Sequence, residues 1–259
     1  MLHDVSRYRG LIQSVAEQAV AAAVDASPHR ARPDEVRYSL TQMLPAARRL
    51  LGQDVELKAP PTGLRVSFVD GRGQQRPVYR CLAAYLHWRA TGDCPVMRLD
   101  GSGDPAIGLW QLWHRQAEGG AVSLSDVEAI VGLGANAGGE DAPLRPQSSD
   151  ESPDHWTYRE LTGLHALQAI ASGSSLDDET RAALRGRIAG VARYHQQHTQ
   201  PDYTTYQPWA VSAFLSEPAT TWFAEQQLHD VQTHLAIEGG GGAVLPALLL
   251  ASAYADLAG

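Results

Sequence analysis

Residues 243–258 read Ala-Val-Leu-Pro-Ala-Leu-Leu-Leu-Ala-Ser-Ala-Tyr-Ala-Asp-Leu-Ala. At helical spacing this stretch is apolar on almost every side. A helix of that kind is buried all round, so Leu248, Leu249 and Leu250 are predicted to lie in a core. Such a helix needs others around it, and the rest of the chain supplies them. Apolar groups recur in steps of three and four at Val5, Tyr8, Ile12, Val15, Ala19 and Ala22. They do so again at Val36, Leu40, Met43, Leu44, Ala47, Leu50 and Leu51, where Gly52 closes the run. Val78, Cys81, Leu82, Tyr85 and Trp88 mark a third helix. Trp110 and Trp113 sit on a fourth, and Ala224, Leu228, Val231 and Leu235 mark a late one. About ten helices joined by short loops are predicted, with buried helices inside and half-exposed ones outside.

Only residues 53–77 break the pattern. Leu64–Asp70 alternates loosely and is followed by Gly-Arg-Gly-Gln-Gln-Arg-Pro, which predicts a minor β excursion near 64–80 in the form of a short hairpin. Capping boxes are read at Ser125–Glu128 and Thr157–Glu160, and Ser175-x-x-Asp178 opens a further helix. Residues 134–153 are rich in Gly, Pro and Ser. They are read as a long loop between two halves of one helical domain spanning 1–259.

Leu99–Trp110, LDGSGDPAIGLW, is similar to the Asp-Gly-Ser-Gly segment that opens repeat helices in triterpene cyclases. The succession of helical hairpins with aromatic-polar loops resembles the α/α-toroid group. That group includes terpenoid cyclases, prenyltransferase subunits and several polysaccharide lyases and glycosidases. The resemblance implies an all-α architecture, an α/α-toroid or incomplete toroid. It carries no catalytic residue across. Leu176-Asp-Asp-Glu179 departs from the cyclases' Asp-x-Asp-Asp, and the prenyltransferases' zinc-binding Asp, Cys and His have no counterpart.

Composition excludes several functions. Hydrophobic residues are 44% and charged residues 19%, as in a folded domain and unlike a disordered one. The net charge is −8, and the basic residues (20 Arg and one Lys, Lys58) are scattered. No basic stripe is present to neutralise a phosphate backbone, so no nucleic-acid partner is expected. No run reaches the roughly 18 apolar residues of a membrane span. The N-terminus lacks the layout of a signal peptide, which makes the cytoplasm the expected location. Cys81 and Cys94 alone cannot build a disulfide framework or a Cys-based zinc site.

The densest set of chemically able side chains lies at Tyr194–Trp209. His195 continues the inward stripe of Leu184, Ile188 and Val191. His198 lies three residues on, so both rings can face one point. Asp202 can orient an imidazole or act as a third metal ligand, and Tyr203, Tyr206 and Trp209 add flat faces with polar tips. Such a set suits a sugar ring or another small polyol. Glu160 and His165 sit on the neighbouring helix and can complete an acid–base pair. Two His and one Asp lack the specificity of a His-Glu-x-x-His metal motif, so neither a metal nor a cofactor is expected. Asp100–Asp104 is not a calcium loop, because Gln111 stands where the terminal Glu belongs. Asp104 is read instead as a helix cap before Pro105. Gly239–Gly242 lacks the Lys-Ser/Thr of a phosphate loop and reads as a turn. His234 is expected to pair with Asp230 on the surface.

Two functions follow. One is a pocket for a small molecule or carbohydrate, lined by Glu160, His165, His195, His198, Asp202, Tyr203, Tyr206 and Trp209. The other is a non-catalytic structural or protein-interaction domain in which the aromatic turn has only a packing role. The oligomeric state is not encoded in any motif.

Overall fold

A computed structural model describes residues 5–24, 36–63, 65–96, 103–131, 141–199 and 206–257. The protein is all-α, 66% helical, with one two-stranded sheet among the described residues. Among the described residues no helix is long and apolar enough to cross a membrane. The chain divides into two compact units. The first holds Met1–Asp100, Tyr206–Pro208 and Leu228–Gly259; the second holds Gly101–Thr205 and Trp209–Gln227. Residues 141–153, part of the loop expected between two halves, lie inside the second unit, and 132–140 are outside the described residues.

The first unit is built on the fully apolar helix. Helix α1 spans Val5–Ala23, α2 Leu44–Leu50 and α3 Val78–Thr91. Helix α10 spans Gly240–Asp256 and packs against all three. Leu248, Leu249 and Leu250 are each 0% exposed, as the all-round apolar pattern requires. Gly239–Gly242 is more than a turn. Gly239 turns the chain at φ 65°, and Gly240–Gly242 form the first turn of α10. A Cβ on Gly240 would strike the carbonyl oxygen of Ala22, and one on Gly71 that of Gly241. The bare backbone is what lets these segments touch.

The expected excursion does hold a tight turn, in which Val69 forms an antiparallel bridge with Gln75 and the Asp70 amide donates to the Gln74 carbonyl, but the two-stranded sheet is not a hairpin. Strand β2, Val66–Val69, lies in the predicted excursion. Its partner is β1, Val36–Ser39, and the pair is parallel with Tyr38 opposite Phe68. Val36 therefore belongs to a strand rather than to the helical stripe. The helical turn starts at Leu40, where the Ser39 side chain caps it by accepting from the Thr41 amide.

In the second unit, α4 (Pro105–Ala117) begins as expected: Asp104 accepts from the Ala106 amide at 2.9 Å with Pro105 at the first position. Helix α5 spans Leu124–Glu128, and its capping box is Ser123 with Asp126 rather than Ser125 with Glu128. Helix α6 spans Pro153–Ala171 and packs on α4 and on α7, Asp178–His198. Ser152 caps α6 by accepting from the His155 amide at 3.3 Å, ahead of the expected start, so Thr157–Glu160 is helix interior and not a capping box. Asp177, two residues after the expected start at Ser175, caps α7 by accepting from the Thr180 amide at 2.7 Å. Helix α8 spans Val211–Leu215, and α9, Thr221–Glu238, starts in this unit and continues in the first.

Candidate functional site

Glu160 and His195 are the most buried titratable side chains of the expected set, at 1% and 0% exposure. A carboxylate in the middle of a core helix must have its lone pairs engaged. One oxygen of Glu160 accepts from the Leu144 amide at 2.7 Å, and the other from the Arg145 amide at 3.0 Å. Arg187 on α7 completes the arrangement by donating to the carbonyls of Ala142 and Pro143 at 2.7 and 2.6 Å. Burial lowers the Arg187 pKa, and the nearby Glu160 charge opposes that shift. Residues 141–145 have no helix or strand of their own, yet Ala142 and Leu144 are buried. Their backbone groups are satisfied by these two side chains instead.

His195 Nε2 lies 3.8 Å from Glu160 Oε2, outside hydrogen-bond reach but within ion-pair reach. The Thr199 hydroxyl donates to the His195 carbonyl at 2.8 Å, and its oxygen sits 3.3 Å from Nδ1. The rings of Trp156, Tyr194 and Phe214 surround the imidazole.

His165 serves a second backbone feature. Ala210 adopts the left-handed conformation at φ 57°, which a residue with a Cβ takes at a cost. Its amide donates to His165 Nδ1 at 3.4 Å, and Gln227 donates to the preceding Trp209 carbonyl at 3.0 Å. The strained turn is thus held from two sides. Burial pushes the His165 pKa down to about 3, so the ring is neutral at physiological pH and Nδ1 can accept. Trp110 and Trp209 pack against it, with ring centroids 5.6 and 5.5 Å away.

Four of the eight expected residues (Glu160, His165, His195 and Trp209) therefore belong to the interior of the second unit. His198 does not converge with His195. It is exposed and lies against the Tyr194 ring at 4.7 Å. Tyr206 belongs to the first unit and stacks on His234 at 4.8 Å. His234 also meets Arg72 at 2.8 Å and Glu238 at 3.7 Å, in place of the expected Asp230 pair. Asp202 and Tyr203 lie outside the described residues. Among the described residues no group of three or more His, Cys, Asp or Glu is arranged to hold a metal ion.

The first unit contains a cleft of about 470 Å³ that the sequence did not single out. Tyr38 and Phe68 are among its lining residues, Tyr38 half-buried and Phe68 buried beneath. Being register partners on adjacent strands, they place their rings on one face, with centroids 6.1 Å apart. Met43, Pro45, Pro60 and Pro61 add apolar walls, and Gln42, Glu56, Lys58 and Ala59 complete the lining. The available signal was the position of the only Lys, two residues before Pro60-Pro61 and inside the one segment that breaks helical period. Arg187 also escaped the sequence reading. An Arg between Leu184 and Ile188 on an inward stripe marks a buried cation that must find carbonyls or an acid.

Comparison of the chain with protein-family models, curated proteins and solved structures finds no match.

Proposed function

We propose that this is a binding protein, with a small apolar molecule as its ligand and the Tyr38–Phe68 cleft as its site. The observation that carries the reading is the cleft itself. Its volume falls within the roughly 300–1,000 Å³ of small-molecule sites, and its walls are mainly aromatic and proline surface with a few polar groups at the margin. Such a lining favours an apolar body over a carbohydrate, whose hydroxyls need many polar partners.

The buried Glu160–His195 and His165–Trp209 groups are read as structural, in line with the alternative expectation for the aromatic turn. Glu160 serves the backbone amides of residues 144 and 145, His165 that of Ala210, and the His195 and Trp209 rings are fully buried. The likeness to α/α-toroid proteins remains a proposal for the scaffold. Of its motif, Gly103–Trp110 is described, and Asp104–Pro105 opens a helix there as the likeness implies.

The test is a thermal-shift screen of apolar and amphiphilic compounds, followed by titration calorimetry on wild type, Ala59→Trp and His198→Ala. Ala59 and His198 are both exposed, so neither change disturbs the core. Ala59→Trp fills the cleft and is expected to weaken binding at least tenfold, whereas His198→Ala leaves it unchanged. Binding that survives Ala59→Trp and is lost in His198→Ala would return the site to the 195–209 cluster.

A further inference from the structure

The rim of the cleft carries two opposite charges. Glu56 and Lys58 are two residues apart in a segment without helix or strand, and both line the cleft while remaining exposed. Among the described residues they are the only charged ones that line it. In extended backbone, residues i and i+2 point to the same side and lie roughly 7 Å apart. Among the described residues no ion pair joins them to each other, and neither is engaged elsewhere. This contrasts with other charged side chains of the unit: Arg72 pairs with Glu238, and Arg89 with Asp256.

We infer that the cleft takes a zwitterion with a bulky apolar body, of the class of a free α-amino acid with an aromatic side chain. The inference rests on the proposed binding role of the cleft and names its ligand class. A plain carboxylate would be drawn to Lys58 but repelled by Glu56, and a plain amine would meet the reverse. A molecule carrying both charges satisfies both. In an α-amino acid the ammonium nitrogen and carboxylate carbon are about 2.5 Å apart, so two long, mobile side chains can close on them from either side. The aromatic body then packs against the half-buried Tyr38 ring, where an offset or edge-on contact adds to simple burial.

The experiment uses three probes of one shape on the full chain: L-tryptophan, tryptamine and indole-3-propionic acid, measured by titration calorimetry. Wild type is expected to bind L-tryptophan at least tenfold more tightly than either single-charge analogue. Lys58→Met should weaken L-tryptophan at least tenfold and tighten tryptamine, which loses a repulsion. Glu56→Gln should likewise weaken L-tryptophan and tighten indole-3-propionic acid, which loses a repulsion. Both substituted residues are exposed, and an unchanged circular-dichroism melt checks that each variant folds. Equal affinity for all three probes, abolished by Ala59→Trp, would overturn the zwitterion and keep the cleft. The zwitterion also falls, and the cleft stays, if none of the three binds while a compound from the apolar screen does so in an Ala59-dependent way. If nothing binds in an Ala59-dependent way, the cleft reading and the zwitterion fall together.

Discussion

Glu160 and Glu56 are chemically identical and stand in opposite situations. Glu160, in the second unit, is sealed: both oxygens accept backbone amides, and Arg187 holds the carbonyls just before them. Glu56, in the first unit, is exposed on the edge of a cleft, with Lys58 beside it. The sequence drew attention to the first of these regions, where His, Glu, Tyr and Trp cluster. That cluster is largely committed to the fold. A concentration of reactive side-chain types becomes a site only where some lone pairs and protons are left over next to an accessible space. In the second unit the irregular segment 141–145 and the strained turn at Ala210 take the Glu160 oxygens and His165 Nδ1, and the His195 and Trp209 rings are sealed from solvent. In the first unit the strands bond each other and the Arg80 side chain donates to the Val66 carbonyl, while Glu56 and Lys58 stand exposed beside the cleft.

The sharpest way to break this comparison is to remove the sealed carboxylate. Glu160→Ala leaves the Leu144 and Arg145 amides without acceptors and strips the buried Arg187 of a nearby counter-charge. A loss of about 3–5 kcal/mol in urea unfolding is expected, the usual cost of deleting one member of a buried charged pair. A change below about 1 kcal/mol would show that the segment is held by other means and that Glu160 is free for another role.

A titration gives the next effect. The folded His165 ring resists protonation until about pH 3, whereas in the unfolded chain it titrates near 6.5. Between those values the unfolded state holds more protons. Stability contributed by the neutral ring is therefore complete above pH 6.5 and is lost as pH falls through the window, by up to about 1.4 kcal/mol per unit. His165→Asn keeps an acceptor for the Ala210 amide but does not titrate. The stability difference between wild type and this variant should move against wild type by about 2 kcal/mol between about pH 7 and about pH 5. A difference independent of pH would mean that His165 is solvated, contrary to a sealed interior.

How far the sequence reached can be argued from the same residues. His195 on the stripe of Leu184, Ile188 and Val191 was readable as inward, and it is fully buried. What it would meet was not readable, because Glu160 is 35 positions away and the partners of Glu160 are backbone groups 15 and 16 residues before it. Periodicity places a side chain on a face; it does not say which remote main-chain groups need it. The β excursion was legible at Val66–Val69 and in its turn back to Gln75, but the parallel partner strand was not. Val36 and Leu40 are four apart, a step that suits a helix, while Val36–Ser39 also suits a short strand. A parallel contact across 30 residues decided the matter. Two capping boxes were placed out of register for a related reason. Ser and Thr recur near each helix start, and Pro153 after Ser152 gave α6 the better first turn. The cleft went unread because Tyr38, Lys58 and Phe68 come from three segments, none of which carries a motif.

The smallest expected effect concerns the outer face of the sealed unit. Gly186 lies within α7, is exposed, and a Cβ built there would meet nothing within 4 Å. Glycine in a helix interior costs up to about 1 kcal/mol relative to alanine, because the unfolded chain has more backbone freedom to lose. Gly186→Ala should therefore stabilise the protein by about 0.5–1 kcal/mol. Gly163 on α6 is the control within the same unit, since a Cβ there would come 3.0 Å from the Leu144 side chain, on the very segment that Glu160 holds. Gly163→Ala should destabilise, so the two substitutions move the urea midpoint in opposite directions. Because Gly186 belongs to the second unit and the cleft to the first, Gly186→Ala should leave ligand affinity at the cleft within about twofold of wild type. A gain in stability accompanied by a large change in affinity would show that the two units do not divide structural and binding roles as proposed.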